Sequence, residues 1–220
     1  MTVNRFYTTK RAPLMSRSIA YWNKTAERYA KQPVANEQDY QKKIAITQSY
    51  LEPNMTVLEF GCGTGSTALI HAPKVKQYIG TDLAENMIET ANQKQRKSAL
   101  SNLTFKTAQL NDFSPQTHAF DAVVGLNVLH LMADWKHAIA QVAALLKPGG
   151  VFITSTACLK EGINPYRFIA PFTQWVGLPL VKVFTRKELE STLERAGFTL
   201  DYRWVPEGNS LVYFLVAIKQ

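Results

Sequence analysis

Apolar positions recur first at helical spacing and later in short continuous runs. Trp22, Ala26 and Tyr29 repeat every three or four residues, which predicts a helix over residues 17–30 that Pro33 ends. Asn36 offers an N-cap, with Asp39 in the first turn, so a second helix is expected to reach about Leu51. After a turn at Pro53 and Asn54 the pattern changes. Residues 57–60, 77–80, 103–107, 120–126 and 151–155 are short, mostly apolar runs that read as strands. Helical segments separate them: one ending before Pro73, one over 85–97, and one over 135–146 that Asp134 caps and Lys147-Pro148-Gly149-Gly150 stops. Residues 1–15 show no period and read as a loose arm.

The run Phe120-Asp121-Ala122-Val123-Val124-Gly125-Leu126 is apolar almost throughout, as in a strand covered on both faces. Strand and helix alternate, which predicts an α/β doubly wound sheet. Right-handed crossovers place the loops that follow the strands along one edge. Near the end, Thr185 and Glu188 form a capping box, and Gly197 closes the helix they begin. Two β-rich runs then flank Pro206-Glu207-Gly208-Asn209. They predict a hairpin, and with it an antiparallel last strand in an otherwise parallel sheet.

The chain has 220 residues, 46% of them apolar, enough for one sizeable core. Its two cysteines, Cys62 and Cys158, lie far apart and imply neither a disulfide framework nor a metal site. With no leader pattern, a reducing cytoplasm is the expected compartment. The net charge of +8 admits nucleic acid, an anionic membrane or acidic small molecules as partners. The cations are dispersed, as at Lys10-Arg11, Lys42-Lys43 and Arg186-Lys187, and form no nucleic-acid arm.

Candidate chemistry concentrates where the first of these strands gives way to a helix. Gly61, Gly63 and Gly65 free the backbone for positive φ and for close approach of a ligand, and the following helix start favours an acidic or polar group. No Gly-Lys-Ser/Thr follows, so the loop is not a P-loop. The spacing G-x-G-x-G also lacks the helix glycine of a dinucleotide loop. Glu59 would repel a pyrophosphate and favour an ammonium group. Asp82, after the second strand, can accept bonds from ribose hydroxyls, so the residues point to a nucleoside.

Four motifs in order, E-F-G-C-G-T-G, Y-I-G-T-D, F-D-A-V-V-G-L-N-V-L-H and L-K-P-G-G-V-F-I-T, resemble the class I S-adenosylmethionine-dependent methyltransferases, and within them the small-molecule branch that includes quinone-biosynthesis enzymes. The resemblance runs from about Ala20 to the C-terminus. It implies a Rossmann-like sheet, S-adenosylmethionine as cofactor and S-adenosylhomocysteine as product. By the same resemblance, Gly61, Gly63 and Gly65 face the methionine portion and Glu59 helps its amino group. Asp82 binds the ribose, Leu83 and Met87 flank the adenine, and Asn127 contacts the methionine end. Gln109 stands where the family often has an aspartate that accepts from the adenine amino group; a glutamine carbonyl can do the same, with Leu110 beside it. Trp22, Ala26 and Tyr29 match an aromatic-x-x-x-Ala-x-x-Tyr feature that brings the tyrosine near the cofactor.

Residues 1–52 are then expected to cover the cofactor, and residues 53–220 to form the methyltransferase domain with a lid-like insertion at about 158–184. The acceptor is expected to be small and apolar or aromatic, methylated on oxygen, nitrogen or carbon. His130, after the fourth strand, is the candidate base or acceptor contact. His71 and His137 read as structural or exposed, and His118 as solvated. Trp22, Tyr166, Phe168, Phe172 and Trp175 are candidates to line the acceptor site, the last four in an apolar stretch broken by Pro165, Pro171 and Pro179. Ordinary core or a dimer contact would also suit these aromatics. So would shallow docking on an anionic membrane beside Arg167 and Lys182. Monomer and homodimer both fit.

RNA or protein methylation is a second reading. It is weakened because Asn127-Val128-Leu129-His130 stands where such enzymes carry an N/D-P-P-Y/F-type motif. A nicotinamide dehydrogenase fits only the first two strands. A non-catalytic S-adenosylmethionine-binding protein is the remaining alternative.

Overall fold

The computed structural model describes residues 12–114, 120–161, 165–170, 172–173 and 178–220. Strands β1 (Thr56–Phe60), β2 (Gln77–Asp82), β3 (Leu103–Thr107), β4 (Phe120–Leu126), β5 (Leu146–Ala157), β6 (Phe198–Trp204) and β7 (Val212–Lys219) form one sheet. Their order is β3-β2-β1-β4-β5-β7-β6. β1 lies parallel to both β2 and β4, whereas β7 runs antiparallel to β5 and β6. The chain builds outward from β1 to β3, then returns to β4 on the other side of β1. That reversal leaves a crevice beyond the carboxyl ends of β1 and β4, where α/β sheets hold ligands.

Alternation along each strand gives the sheet two apolar faces. Leu58, Phe60, Val123, Phe152 and Leu215 lie on one, packed against α5 (Trp135–Leu145) and α7 (Arg186–Arg195). Val57, Tyr78, Val124, Ile153 and Phe214 lie on the other. Ala68 of α3 (Ser66–His71) and Ile88 and Ala91 of α4 (Glu85–Ser98) cover that second face. Helix α2 (Glu37–Ser49) begins at Asn36, whose side chain accepts from the Asp39 N–H. Helix α1 (Ala12–Lys31) packs on α4 through Ala26, Ala84 and Met87, with Trp22 against them.

The predicted elements are present, and three boundaries move. Helix α1 already runs from Ala12, the first described residue, inside the expected loose arm. β2 continues to Asp82, so that acid ends the strand instead of following it. Helix α5 stops at Leu145, and β5 begins at Leu146 instead of residue 151, so it takes in the residues expected only to stop the helix. The register between β4 and β5 shifts there, from Phe120 opposite Leu146 to Ala122 opposite Val151. The extra residues are held by the Lys147 ammonium on the Asp121 carboxylate at 2.5 Å, while the other Asp121 oxygen accepts from the Thr56 N–H.

Gly125 in β4 shows how tightly the sheet packs on its first face. A Cβ there would lie 2.4 Å from Cζ of Phe60, whose ring stacks on Phe152 at 6.3 Å. Gly125→Ala is expected to cost about 1–3 kcal/mol through overpacking. Denaturant unfolding measures it, and an unchanged midpoint would mean that the Phe60 ring repacks freely.

Candidate functional site

The loop between β1 and α3 passes through the left-handed region three times. Gly61, Gly63 and Gly65 have φ of 65°, 54° and 73°, values at which any side chain is strained. Space treats the three differently. A Cβ on Gly61 would lie 2.4 Å from Cγ2 of Val128, and one on Gly65 2.5 Å from Cζ of Phe105. The protein's own packing keeps these two bare. A Cβ on Gly63 would meet Tyr29 Cε1 at 3.8 Å and nothing closer. Gly63 is therefore the glycine that stays open toward the cleft. The loop is pinned from outside by Lys94 of α4, which donates to Thr64 Oγ1 and Ser66 Oγ, both at 2.9 Å.

Two acids meet this loop. Glu59 sits on β1, an interior strand between β2 and β4, and is 1% exposed. Its Oε1 accepts from the Thr67 hydroxyl at 2.9 Å and its Oε2 from the Tyr78 hydroxyl at 2.8 Å. Burial raises its pKa to about 7, the two hydroxyl bonds pull it back, and Asp82 pushes it up further. Asp82 receives the Gly63 N–H on Oδ2 at 3.0 Å and the Ala84 N–H on Oδ1 at 2.9 Å. It thereby ties the end of β2 to the glycine loop. Burial raises its pKa, and the backbone bonds from Ala84, Gly63 and Leu83 oppose that rise.

A cleft of about 490 Å³ opens beside Gly63. Tyr29 of α1, Lys43 and Thr47 of α2, Glu59, Thr67 and His71, Asn127, and the β6–β7 loop at Pro206 and Asn209 line it. Tyr29 is 43% exposed, and burial and then Asp82 raise its pKa. Asn127 has φ of 56°, a conformation asparagine tolerates, and its N–H donates to Ser155 O at 2.6 Å. Tyr29, Glu59, Gly61, Gly63 and Asn127 are thus brought to one cavity, with Asp82 bonded to its rim.

Other expected residues stand elsewhere. Trp22 packs in the α1–α4 contact with Met87 and Ala84, and its ring meets that of Tyr29 edge-on at 5.8 Å. Met87 is 2% exposed in that same contact. Leu83 is half-buried next to Asp82. Gln109 caps a short 3-10 turn, with its side chain accepting from the Asp112 N–H and its own N–H on Asp112 Oδ2. That engagement competes with a bond to an adenine. Leu110 packs in the core with Phe113 and Phe120. Cys62 and Cys158 are buried free thiols, and burial raises the pKa of both.

His130 is held by β5. The Ala157 N–H donates to its Nδ1 at 3.3 Å, and Thr156 Oγ1 lies 3.1 Å from the same nitrogen while accepting the His130 N–H at 3.2 Å. A backbone N–H can only donate, so Nδ1 is an acceptor and the neutral ring carries its hydrogen on Nε2. Burial lowers the pKa to about 4. This arrangement opposes the expected base: the lone pair is already taken, and the ring is left to donate.

The insertion after β5 is fastened at three backbone points. The Lys160 N–H donates to Phe184 O at 3.2 Å, Lys182 N–H to His130 O at 2.6 Å, and Leu180 N–H to Ser18 Oγ of α1 at 3.0 Å. Phe184 stacks on Trp135 at 4.4 Å. Phe168 and Phe172, expected to line a lid over the acceptor, are 69% and 61% exposed. Tyr166 lies in the short helix α6 (Tyr166–Ile169), but its side chain, like Trp175 and His118, falls outside the described residues.

Lys43, Thr47, Thr67, His71 and Tyr78 escaped sequence reasoning. For Tyr78 a signal existed: it pairs with Val57, two residues from Glu59 on the same face of β1. Among the described residues no His, Cys, Asp and Glu cluster suits a metal, and no helix is long and apolar enough to cross a membrane.

The family model described as a methyltransferase domain matches residues 31–202. A hybrid PKS-NRPS synthetase of Macrophomina phaseolina is 29% identical over 205 residues, 85% of this chain, which spans 5% of the synthetase's length. Demethylmenaquinone methyltransferase of Symbiobacterium thermophilum is 29% identical over 177 residues, 76% of this chain and 68% of that protein. The crystal structure of magnesium protoporphyrin IX methyltransferase from Synechocystis, with bound S-adenosylhomocysteine, shares the fold at a TM-score of 0.70 and 19% identity, over 96% of this chain and 100% of that one. A sheet with this strand order, a left-handed glycine loop after β1 and a family match over most of its length place the chain in the S-adenosylmethionine-dependent methyltransferase domain family.

Proposed function

We propose that the chain transfers a methyl group from S-adenosylmethionine to oxygen, nitrogen or carbon of a small, apolar or aromatic acceptor. The observation that carries this reading is a cleft that joins an open glycine, Gly63, to the buried acid Glu59, with Asp82 bonded to its rim. The site fits the cofactor's chemistry. A Cβ on Gly63 would fill the cradle, and two acids raised by burial favour a ligand that brings positive charge. When bound, S-adenosylmethionine supplies an electrophilic methyl on a positive sulfonium.

The chain's own residues then have to bind, orient and exclude water. Glu59 faces the ammonium. Asp82 has spent two lone-pair sites on backbone N–H groups, and the rest of its carboxylate remains for the ribose hydroxyls. Tyr29 covers the methionine end above Gly63, Leu83 beside Asp82 lies at the adenine side with Met87 packed behind it, and the Asn127 backbone meets the methionine end. Holding two reactants in line supplies up to roughly 7–11 kcal/mol, so no covalent catalyst is required. His130 serves as a donor to the acceptor. Residues 1–52 act as a cover and 158–184 as a lid, a reading supported by the Ser18 and His130 tethers. The name of the Symbiobacterium relative supports a small-molecule acceptor, and the two free thiols support a reducing cytoplasm.

Calorimetry with S-adenosylhomocysteine and NAD tests the cofactor, and a radiolabelled-methyl screen over small molecules, lipids, RNA and proteins tests the acceptor class. Binding of NAD alone would reject the proposal. Asp82→Ala is expected to weaken S-adenosylhomocysteine by about 1.5–3 kcal/mol; an unchanged Kd would show the ribose to be elsewhere.

Glu59 predicts a pH dependence. Its pKa in the fold, about 7, lies above the ordinary 4.5. Its contribution to stability is therefore complete below about 4.5 and is lost as pH rises through about 7. Relative to Glu59→Gln, the unliganded protein should lose stability across that window, while S-adenosylmethionine binds more tightly. A difference independent of pH would remove Glu59 from both effects.

The His130 assignment is open to ¹⁵N NMR of labelled protein. The expected spectrum is a neutral ring with hydrogen on Nε2 down to pH about 4. Hydrogen on Nδ1, or charge appearing above pH 6, would restore the base.

A further inference from the structure

A second cavity, of about 390 Å³, lies between α5 and α7 and shares no lining residue with the cleft beside Gly63. Its cations come from three stretches of the chain: Lys136 from the first turn of α5, Lys160 from just beyond β5, and Lys187 and Arg195 from α7. One carboxylate, Glu188, lines it with them. Four cations to one acid departs from the chain as a whole, where 25 lysines and arginines face 17 acids.

Glu188 is already engaged. Its Oε1 accepts from Lys160 Nζ at 3.0 Å, and its Oε2 from the Thr185 N–H at 2.7 Å. Neighbouring acids serve elsewhere. Glu190 accepts the Tyr213 hydroxyl and pairs with Arg203 at 3.4 Å, Glu161 accepts the Arg186 N–H at 2.7 Å, and Asp134 caps α5 through the His137 N–H at 3.2 Å. Among the described residues, no carboxylate pairs with Lys136, Lys187 or Arg195. The first turn of α7 is closed by its own capping box and by Glu161, so side chains, and not the helix end, supply the donors.

Lys187, Ser191 and Arg195 recur every four residues, so they share one face of α7 and span about 12 Å along it. Like charges held along one groove repel each other, and an anion that bridges them removes that cost. A single phosphate or carboxylate is too short for such a stripe, whereas two linked anionic groups reach further along it. The volume is that of a small-ligand pocket, a class that spans roughly 300–1,000 Å³. The Arg195 guanidinium offers a fork to a phosphate, and the ammonium groups act as point charges beside it.

We propose that the α5–α7 cavity binds a diphosphate, free or carried by a nucleotide, apart from the methyl-transfer cleft. The cavity stands at both roots of the insertion after β5. Lys160, near its start, and Thr185, just past its end, line it, and the Lys160 N–H already donates to Phe184 O at 3.2 Å. A bound diphosphate would clasp the insertion where it leaves and rejoins the body of the fold. The inference does not depend on the S-adenosylmethionine reading.

An NMR titration of the ¹⁵N-labelled full chain at low salt tests it, with inorganic pyrophosphate, orthophosphate, UDP and polyglutamate as probes. UDP lacks the adenine that the cofactor cleft would take. Pyrophosphate is expected to shift the Lys136, Lys187, Ser191 and Arg195 amides, and to bind about tenfold or more tightly than orthophosphate. Lys187→Gln and Arg195→Gln are each expected to weaken pyrophosphate about threefold to tenfold. Lys74→Gln, on the exposed turn after α3, should leave it unchanged. UDP no tighter than pyrophosphate assigns the cavity to the diphosphate alone, and tighter UDP assigns it to a nucleotide; either upholds the site. Orthophosphate bound as well as pyrophosphate, shifts spread over the other basic surfaces, equal weakening by Lys74→Gln, or no binding overturns it. So does a preference for polyglutamate, which would make the cavity a contact for an acidic protein.

Discussion

A carboxylate buried on β1, inside the sheet, governs the rest of this site. Glu59 has almost no access to water, and what it receives instead are hydroxyl bonds from Thr67 of α3 and Tyr78 of β2. Two neutral donors compensate a buried charge only in part, which is why its pKa stays near 7. The protein thus holds an incompletely solvated acid at the point where the sheet reverses order. A ligand that brings positive charge completes it. Asp82, whose own pKa burial raises, adds to that field while anchoring the glycine loop through Gly63.

The glycine loop shows a division that its letters conceal. Three residues at alternate positions all adopt positive φ, yet two of them are bare because Val128 and Phe105 occupy the space. Val128 comes from the loop after β4, and Phe105 from β3. The loop is therefore clamped between both halves of the sheet before any ligand arrives, and only Gly63 is left open. Such a loop loses little entropy on binding, since its backbone is already fixed by the core.

This division also explains what was legible in the sequence. Periodicity and caps fixed the elements, and Glu59, the glycines and Asp82 were readable because strand ends concentrate ligand contacts in this architecture. Residues whose role depends on which helix packs where were not. Trp22 on α1 and Met87 on α4 each lie on a helical stripe that could face a ligand or another helix, and both take part in the α1–α4 contact. His71 read as structural or exposed because a histidine at the end of a short helix usually is; its burial follows from α3 lying against the sheet. The 147–150 segment reads as a helix stop because Pro-Gly-Gly ends helices, and the structure places it in β5, with the Asp121 ion pair and the register shift beside it.

Acceptor choice follows a different logic from cofactor binding. In-line methyl transfer demands alignment more than a fixed set of reactive side chains, so the frame that sets the alignment matters most. Here that frame is largely backbone. His130 is fixed by the Ala157 N–H and Thr156 on β5, its carbonyl accepts Lys182, and Leu180 reaches Ser18 of α1. The insertion, the β4 loop and the N-terminal helix are thereby linked without depending on the aromatic side chains that drew attention in the sequence. In the function proposed above, a donor at His130, already neutral and oriented by its contacts on Nδ1, would favour acceptors that present a hydrogen-bond-accepting oxygen or nitrogen beside the methylated atom.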